Sequence, residues 1–147
     1  ESVAAFGRSG EPLPRFASLA AGEVNLRVGP GRGYPIEWTY QRRGLPVEIV
    51  EEYGDWRRIK DPAGAQGWVL KDLLSPTRTA IIVGDQIRTL FIQPKPNAKA
   101  VWRAEPGVMA QLVACEDAWC EIAVDDRRKG WILRIHLWGV RADENFR

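Results

Sequence analysis

The stretch Gly54-Asp55-Trp56-Arg57-Arg58-Ile59-Lys60-Asp61-Pro62-Ala63-Gly64-Ala65-Gln66-Gly67-Trp68-Val69 holds a turn, a strand, a second turn and a second strand. Gly54-Asp55 and Asp61-Pro62-Ala63-Gly64 are turn signals, because proline presets φ and glycine supplies positive φ at little steric cost. Between them Trp56 to Lys60 has strand length, and Gly67 to Leu74 returns as its partner with a short tail. Sixty-three residues later the same frame recurs as Asp117-Ala118-Trp119, Ile122, Asp125-Asp126 and Gly130-Trp131-Ile132. Trp56 matches Trp119 and Trp68 matches Trp131, since 119 − 56 and 131 − 68 are both 63. Gly44 and Gly107 keep that offset, whereas Leu26 with Leu90, Pro30 with Pro94 and Trp38 with Trp102 lie 64 apart. One residue has therefore been lost between Trp102 and Gly107, and the chain is a tandem repeat.

Working outward, Leu45-Pro46-Val47-Glu48-Ile49-Val50 alternates at a period of two and is rich in β-branched residues, which predicts a strand. Its counterpart is Val108–Cys115, followed by strands Trp119–Val124 and Trp131–Leu137. Fourteen glycines and ten prolines fall between such runs, which argues against long helices and for small barrels or sandwiches. The expected organisation is an extended N-terminal arm over 1–16 and a first barrel over 17–75. A short linker over 76–79 leads to a second, divergent barrel over 80–140 and a C-terminal tail over 141–147.

Composition limits what the chain does. Its 147 residues are 45% hydrophobic and 27% charged, as in a globular protein. The net charge is +2, and basic clusters such as Arg127-Arg128-Lys129 adjoin Asp125-Asp126, so nucleic-acid binding is not expected. No apolar run approaches the roughly 20 residues a transmembrane helix needs, so no membrane insertion is expected. The chain begins at Glu1 without Met; a removed export signal and a trimmed boundary both fit.

In its first copy the chain shows Asn25-Leu26-Arg27-Val28-Gly29-Pro30-Gly31-Arg32-Gly33-Tyr34-Pro35, then Gly44, Val47-Glu48-Ile49, Gly54-Asp55-Trp56, Ile59 and Gly67-Trp68-Val69. This ordered set resembles the bacterial Src homology-3 family. The second copy keeps Gly107, Trp119, Ile122 and Gly130-Trp131-Ile132, but has Gln93-Pro94-Lys95-Pro96 where the first has its Gly-Pro loop. The resemblance implies an all-β fold, here two tandem small Src homology-3-like β-barrels. It also implies association with cell-wall enzymes or envelope proteins, with peptidoglycan or an envelope protein or peptide as partner. Trp56 and Trp119 match the groove tryptophan of the eukaryotic relatives. The other groove positions carry Leu70 and Leu73, then Leu133 and His136, which argues against recognition of proline-rich peptides.

Cys115 and Cys120 flank the turn Glu116-Asp117-Ala118. An antiparallel register pairing them brings their side chains within disulfide reach. The first copy has Glu52 and Arg57 at those positions, suited to a cross-strand ion pair. A disulfide implies an oxidising compartment, so the chain is expected to be exported, to the periplasm or cell envelope.

No catalytic constellation is visible. His136 is the sole histidine, and a hydrolytic triad or zinc site needs an imidazole beside a nucleophile or further ligands. Cell-wall peptidases that carry these modules use a Cys/His pair, and the two cysteines here are expected to be bridged. Neither an enzymatic activity, a metal nor a cofactor is expected. The candidate ligand-binding residues are aromatic. Tyr34, Trp38 and Tyr40 lie in or beside the long loop before Gly44, and with Trp56 they form a candidate shelf for a sugar ring or extended peptide. Trp119 is the corresponding candidate of the second barrel, and Arg27 is expected to hold the loop carbonyls. The rival reading is a structural or assembly protein in which the second barrel makes a fixed interface, with a homodimer as one form.

Overall fold

The repeat predicts two copies of one strand arrangement, and the computed structural model, which describes residues 5–147, contains them. The chain divides into two units between Thr77 and Arg78. In the first, β1 (Ala5–Phe6) and β2 (Pro12–Leu13) form a small hairpin. The barrel follows with β3 (Arg15–Leu19), β4 (Val24–Arg27), β5 (Ile36–Tyr40), β6 (Pro46–Tyr53), β7 (Trp56–Lys60), β8 (Gln66–Leu70) and β9 (Leu74–Ser75). In the second unit the strands are β10 (Thr79–Ile82), β11 (Arg88–Phe91), β12 (Ala100–Ala104), β13 (Met109–Glu116), β14 (Trp119–Ala123), β15 (Lys129–Leu133) and β16 (Leu137–Trp138).

Both sheets are antiparallel and share one order. The first runs β5-β4-β8-β7-β6-β3-β9 and the second β12-β11-β15-β14-β13-β10-β16. Even the irregularities repeat. The β6–β7 ladder shifts register between Ile49 and Glu51, and β13–β14 between Leu112 and Ala114. The β4–β5 ladder shifts between Leu26 and Arg27, and β11–β12 between Leu90 and Phe91. Such bulges bend the sheet, which is how a small sheet curls around its own core. The expected all-β fold of two tandem Src homology-3-like barrels is the fold observed.

The anchor glycines have steric reasons. A Cβ on Gly67 would lie 2.6 Å from Leu26 Cγ and 2.9 Å from Arg27 O; on Gly130 it would lie 2.9 Å from Leu90 Cβ. Only glycine lets β8 and β15 cross so close to β4 and β11. Gly44 and Gly107 sit at φ 88° and 89° in the turns that lead into the long central strands, a conformation glycine adopts without strain.

Each barrel has its own core. Leu19, Val24, Leu26, Val47, Ile49, Ile59 and Val69 fill the first; Ile82, Leu90, Leu112, Ile122, Ile132 and Leu137 fill the second with Cys115 and Cys120. The run expected as one strand from Gly67 to Leu74 is broken by a 3₁₀ turn, Lys71–Leu73, whose entry is tied by Lys71 N–H donating to Asp55 O at 2.8 Å. The second copy does the same at Arg134–His136.

The segments outside the repeat are held by residues distant in sequence. Of the expected arm, 1–4 lie outside the described residues, 5–13 form the hairpin, and Arg15-Phe16 already belong to β3. Thr79, expected in the linker, opens β10. Of the expected tail, Phe146 pairs with Cys115 as an antiparallel bridge, with N···O distances of 2.8 and 3.0 Å.

Candidate functional site

The loop between β4 and β5 is braced from within. Val28 N–H donates to Pro35 O at 3.1 Å and Tyr34 N–H to Gly31 O at 3.2 Å. Arg27 Nη1 donates to Arg32 O at 3.2 Å and Tyr34 O at 2.9 Å, the role expected of it. The Tyr34 ring lies on the bare backbone of Gly29, where a Cβ would meet its Cδ1 at 2.4 Å. The sequence Gly29-Pro30-Gly31 thus exists locally to let an aromatic ring fold down on the loop that carries it.

This bracing presents apolar side chains to solvent. Val28 is 52% exposed, Tyr34 48%, Ile36 48% and Trp38 60%. Ile36 and Trp38 are two apart on β5, so they share a face, and β5 is the edge strand of its sheet. A cluster of large exposed apolar groups on an edge strand marks an interaction surface more often than a packing accident.

The other candidates do not join it. Tyr40 ends β5 in the core, 5% exposed, with its hydroxyl donating to Asp61 Oδ2 at 2.8 Å. Burial, then the hydrogen bond and charge of Asp61, push its phenol well above the ordinary range. Asp61 is buried too, and its other oxygen accepts the N–H groups of Ala63 and Ala65 at 2.9 Å. Tyr40 is therefore a core residue that pins the β7–β8 turn, and the shelf loses it. Trp56 is half-buried on β7, which β4 and β8 separate from β5 in the sheet order. Trp119, half-buried on the second barrel, packs edge-on against the half-buried Phe91, with ring centroids 5.8 Å apart and planes at 85°.

The second barrel keeps half of the surface. Ile92 and Trp102, the counterparts of Val28 and Trp38, are 57% and 41% exposed. Tyr34 and Ile36 have become Ala98 and Ala100 at the same offset of 64. Trp102 lines a cleft of about 360 Å³ with Leu90, Ala104, Val108 and Arg128.

At positions 52 and 57 the expected cross-strand pair is present. Glu52 opposes Arg57 in the ladder and lies 3.6 Å from its Nε. Arg15 Nη1 donates to Glu52 at 2.9 Å, and Ser9 donates from both N–H (2.9 Å) and Oγ (2.6 Å). The Glu52 side chain is 3% exposed. Burial alone would raise its pKa, but the hydrogen bonds of Ser9 and Arg15 and the charge of Arg57 outweigh it and hold the carboxyl at about 2. Cys120 opposes Cys115 in the second barrel, and the two form a disulfide with Cα atoms 4.1 Å apart. A cleft of about 400 Å³ between Glu11, Arg15, Arg57, Lys71 and Leu74 was not foreseen, because its walls come from segments far apart in sequence.

The profile of the bacterial SH3 domain matches residues 20–76 and again 85–139. The chain belongs to the bacterial Src homology-3 domain family. The first matched region spans β4 to β9 and the second β11 to β16, leaving β3 and β10 just outside, and the braced Gly-Pro loop of the family pattern is the one that carries Tyr34. Among curated proteins the chain is similar to the putative N-acetylmuramoyl-L-alanine amidase YrvJ of Bacillus subtilis (strain 168), 28% identical over 116 residues. That alignment covers 79% of this chain and 22% of the amidase, so the chain spans about a fifth of the relative's length. Among solved structures it is similar to an NlpC/P60 family protein from Bacillus cereus ATCC 10987 (14% identity, TM-score 0.38, 88% of this chain and 58% of that one). NlpC2 from Trichomonas vaginalis aligns likewise (13% identity, TM-score 0.38, 85% and 48%).

Proposed function

We propose that this chain is a non-catalytic binding module of the bacterial cell envelope that engages wall material through the braced β4–β5 surface of its first barrel. The observation that carries this reading is the cluster Val28, Tyr34, Ile36 and Trp38, exposed on a loop that spends an arginine and a Gly-Pro-Gly turn on holding it still. Flat aromatic faces suit the apolar faces of sugar rings and extended peptides, and pre-ordering them lowers the entropic cost of binding. The named relative is a putative amidase of the N-acetylmuramoyl-L-alanine linkage, which supports wall material as the ligand class. The disulfide supports an exported protein in an oxidising compartment, the periplasm or the envelope.

A binding role also accords with the chemistry of the polar groups. His136 lines a small cleft with Ile87, Arg88, Thr89, Phe91 and Leu133, a set without a carboxylate or a thiol. Burial, and then the charge of Arg88, push its imidazole below the ordinary range.

Retention on purified peptidoglycan sacculi tests the reading. Wild type and Trp56→Ala should be retained, and Trp38→Ala and Tyr34→Ala should be lost to the supernatant. If none of the four is retained and light scattering shows a stable dimer, the reading fails in favour of an assembly protein.

A further inference from the structure

The two barrels share one groove and differ in what lies in it. In the second barrel the segment 139–147 turns back across the end of the sheet. Arg134, 6% exposed, donates to the carbonyls of Asp117, Arg141 and Glu144 and to Asn145 Oδ1. Arg78 grips the Glu144 carboxylate with two nitrogens, at 2.5 and 2.9 Å, and its guanidinium stacks on Phe146 at 5.4 Å. Val140 and Phe146 pack on the core beside Cys115, Cys120 and Leu137.

The offset of 63 maps this seat onto the first barrel. Arg78 becomes Arg15, Cys120 becomes Arg57, Arg134 becomes Lys71, Leu137 becomes Leu74 and Leu112 becomes Ile49. These five all line the cleft of about 400 Å³ described above. The first barrel cannot fill it in the same way, because the residues after β9 run on through Thr77 into β10. Its hairpin substitutes only in part, with Leu13 packed on the core and Ser9 capping Glu52. Among the described residues, no segment of the first barrel covers the stretch that Val140 to Glu144 cover in the second.

We propose that this cleft takes a short extended segment of a partner protein, with a small aliphatic side chain over Leu74 and Ile49 and a carboxylate between Arg15 and Lys71. The repeat supports that choice, because Arg15 stands where Arg78 holds Glu144 in the second barrel. The cleft carries no surplus of positive charge, since Arg15 and Arg57 share Glu52, Lys71 pairs with Asp55 at 3.5 Å, and Glu11 and Asp72 also line it. The incoming carboxylate would displace the exposed Asp55 from Lys71 and share Arg15, and charge-assisted arginine–carboxylate contacts are among the strongest polar ones. The site is distinct from the aromatic surface, so one barrel would hold wall material and a protein segment at once.

The probe is a peptide with the sequence of residues 139–147, ends blocked, titrated into the ¹⁵N-labelled full chain. Saturable amide shifts should fall on Arg15, Lys71 and Leu74, with Tyr34 and Trp38 unmoved. Lys71→Glu, or lysine in place of the peptide's glutamate, should weaken binding about tenfold, the scale of one charged contact. Lys71 and its ion-pair partner Asp55 are both exposed, and such surface pairs contribute little to stability, so the variant should melt close to the wild type and keep its retention on sacculi, which separates this failure from failure of the wall-binding reading. Absence of saturable shifts at millimolar peptide overturns the proposal. So do shifts confined to residues around Arg134, which would show the probe displacing the chain's own segment.

Discussion

Glu52 shows how one side chain can tie together pieces that neighbour nothing in sequence. Its carboxylate holds the hairpin through Ser9, β3 through Arg15 and the opposite strand through Arg57. Removing one partner of a buried ionic group leaves the others uncompensated, at a cost of about 3 kcal/mol. Glu52→Ala should therefore lower the unfolding free energy of the first barrel by about 3 kcal/mol in urea titration, with the second barrel's transition unmoved. The pH dependence has a definite sign. A carboxyl held at about 2 in the folded state and near its ordinary value of 4.5 when unfolded stabilises fully above pH 4.5. That stabilisation is lost as pH falls from 4.5 toward 2. Wild type should lose stability in that window, and Glu52→Gln should flatten the profile; equal slopes would refute the linkage. The Glu52–Arg57 pair was legible because the repeat aligns it with two cysteines. Ser9 and Arg15 were not, since nothing in a linear pattern connects position 9 to position 52.

At the scale of single elements, β5 explains the error over Tyr40. An edge strand with three successive exposed residues, Ile36, Glu37 and Trp38, has no buried face to print an alternation, so its residues read as loop and its last side chain read as accessible. Tyr40→Phe removes one buried hydrogen bond and leaves Asp61 short of a donor. It should cost about 1–2 kcal/mol of stability while retention on sacculi is unchanged; lost retention would return Tyr40 to the site. The β13–β14 hairpin, by contrast, was readable in its Cys115–Cys120 register, because the two cysteines constrain each other across a short turn, which the structure narrows to Asp117-Ala118 between the paired Glu116 and Trp119. Its closure by the disulfide should stabilise the second barrel by about 2 kcal/mol. Reduction, or Cys115→Ser with Cys120→Ser, should shift that transition alone, and native protein without reductant should titrate no free thiol.

Across the whole molecule, the strand order and bulges of the first barrel recur in the second, so the fold could be read from the spacing of a handful of anchors. The proposed function could not, because it rests on residues where the copies part. Tyr34 and Ile36 opposite Ala98 and Ala100, and Glu52–Arg57 opposite a disulfide, are the points of divergence. If exposed tryptophan alone made a site, the chain would carry two, one at Trp38 and one at Trp102. The first barrel adds a tyrosine seated on Gly29 and an isoleucine on the same strand face, and the second replaces both with methyl groups. An apolar ligand gains roughly 25 cal/mol for each Å² it covers, so two large side chains exchanged for alanine remove most of what a single tryptophan cannot supply. Wall binding should accordingly saturate at one site per chain. Trp38→Ala should abolish retention and Trp102→Ala leave it within about twofold of wild type, a change under about 0.5 kcal/mol. Installing Ala98→Tyr and Ala100→Ile in the Trp38→Ala background should restore part of the lost retention. Equal losses from the two tryptophan substitutions would instead mean that both barrels bind and that the divergence of the second serves another end.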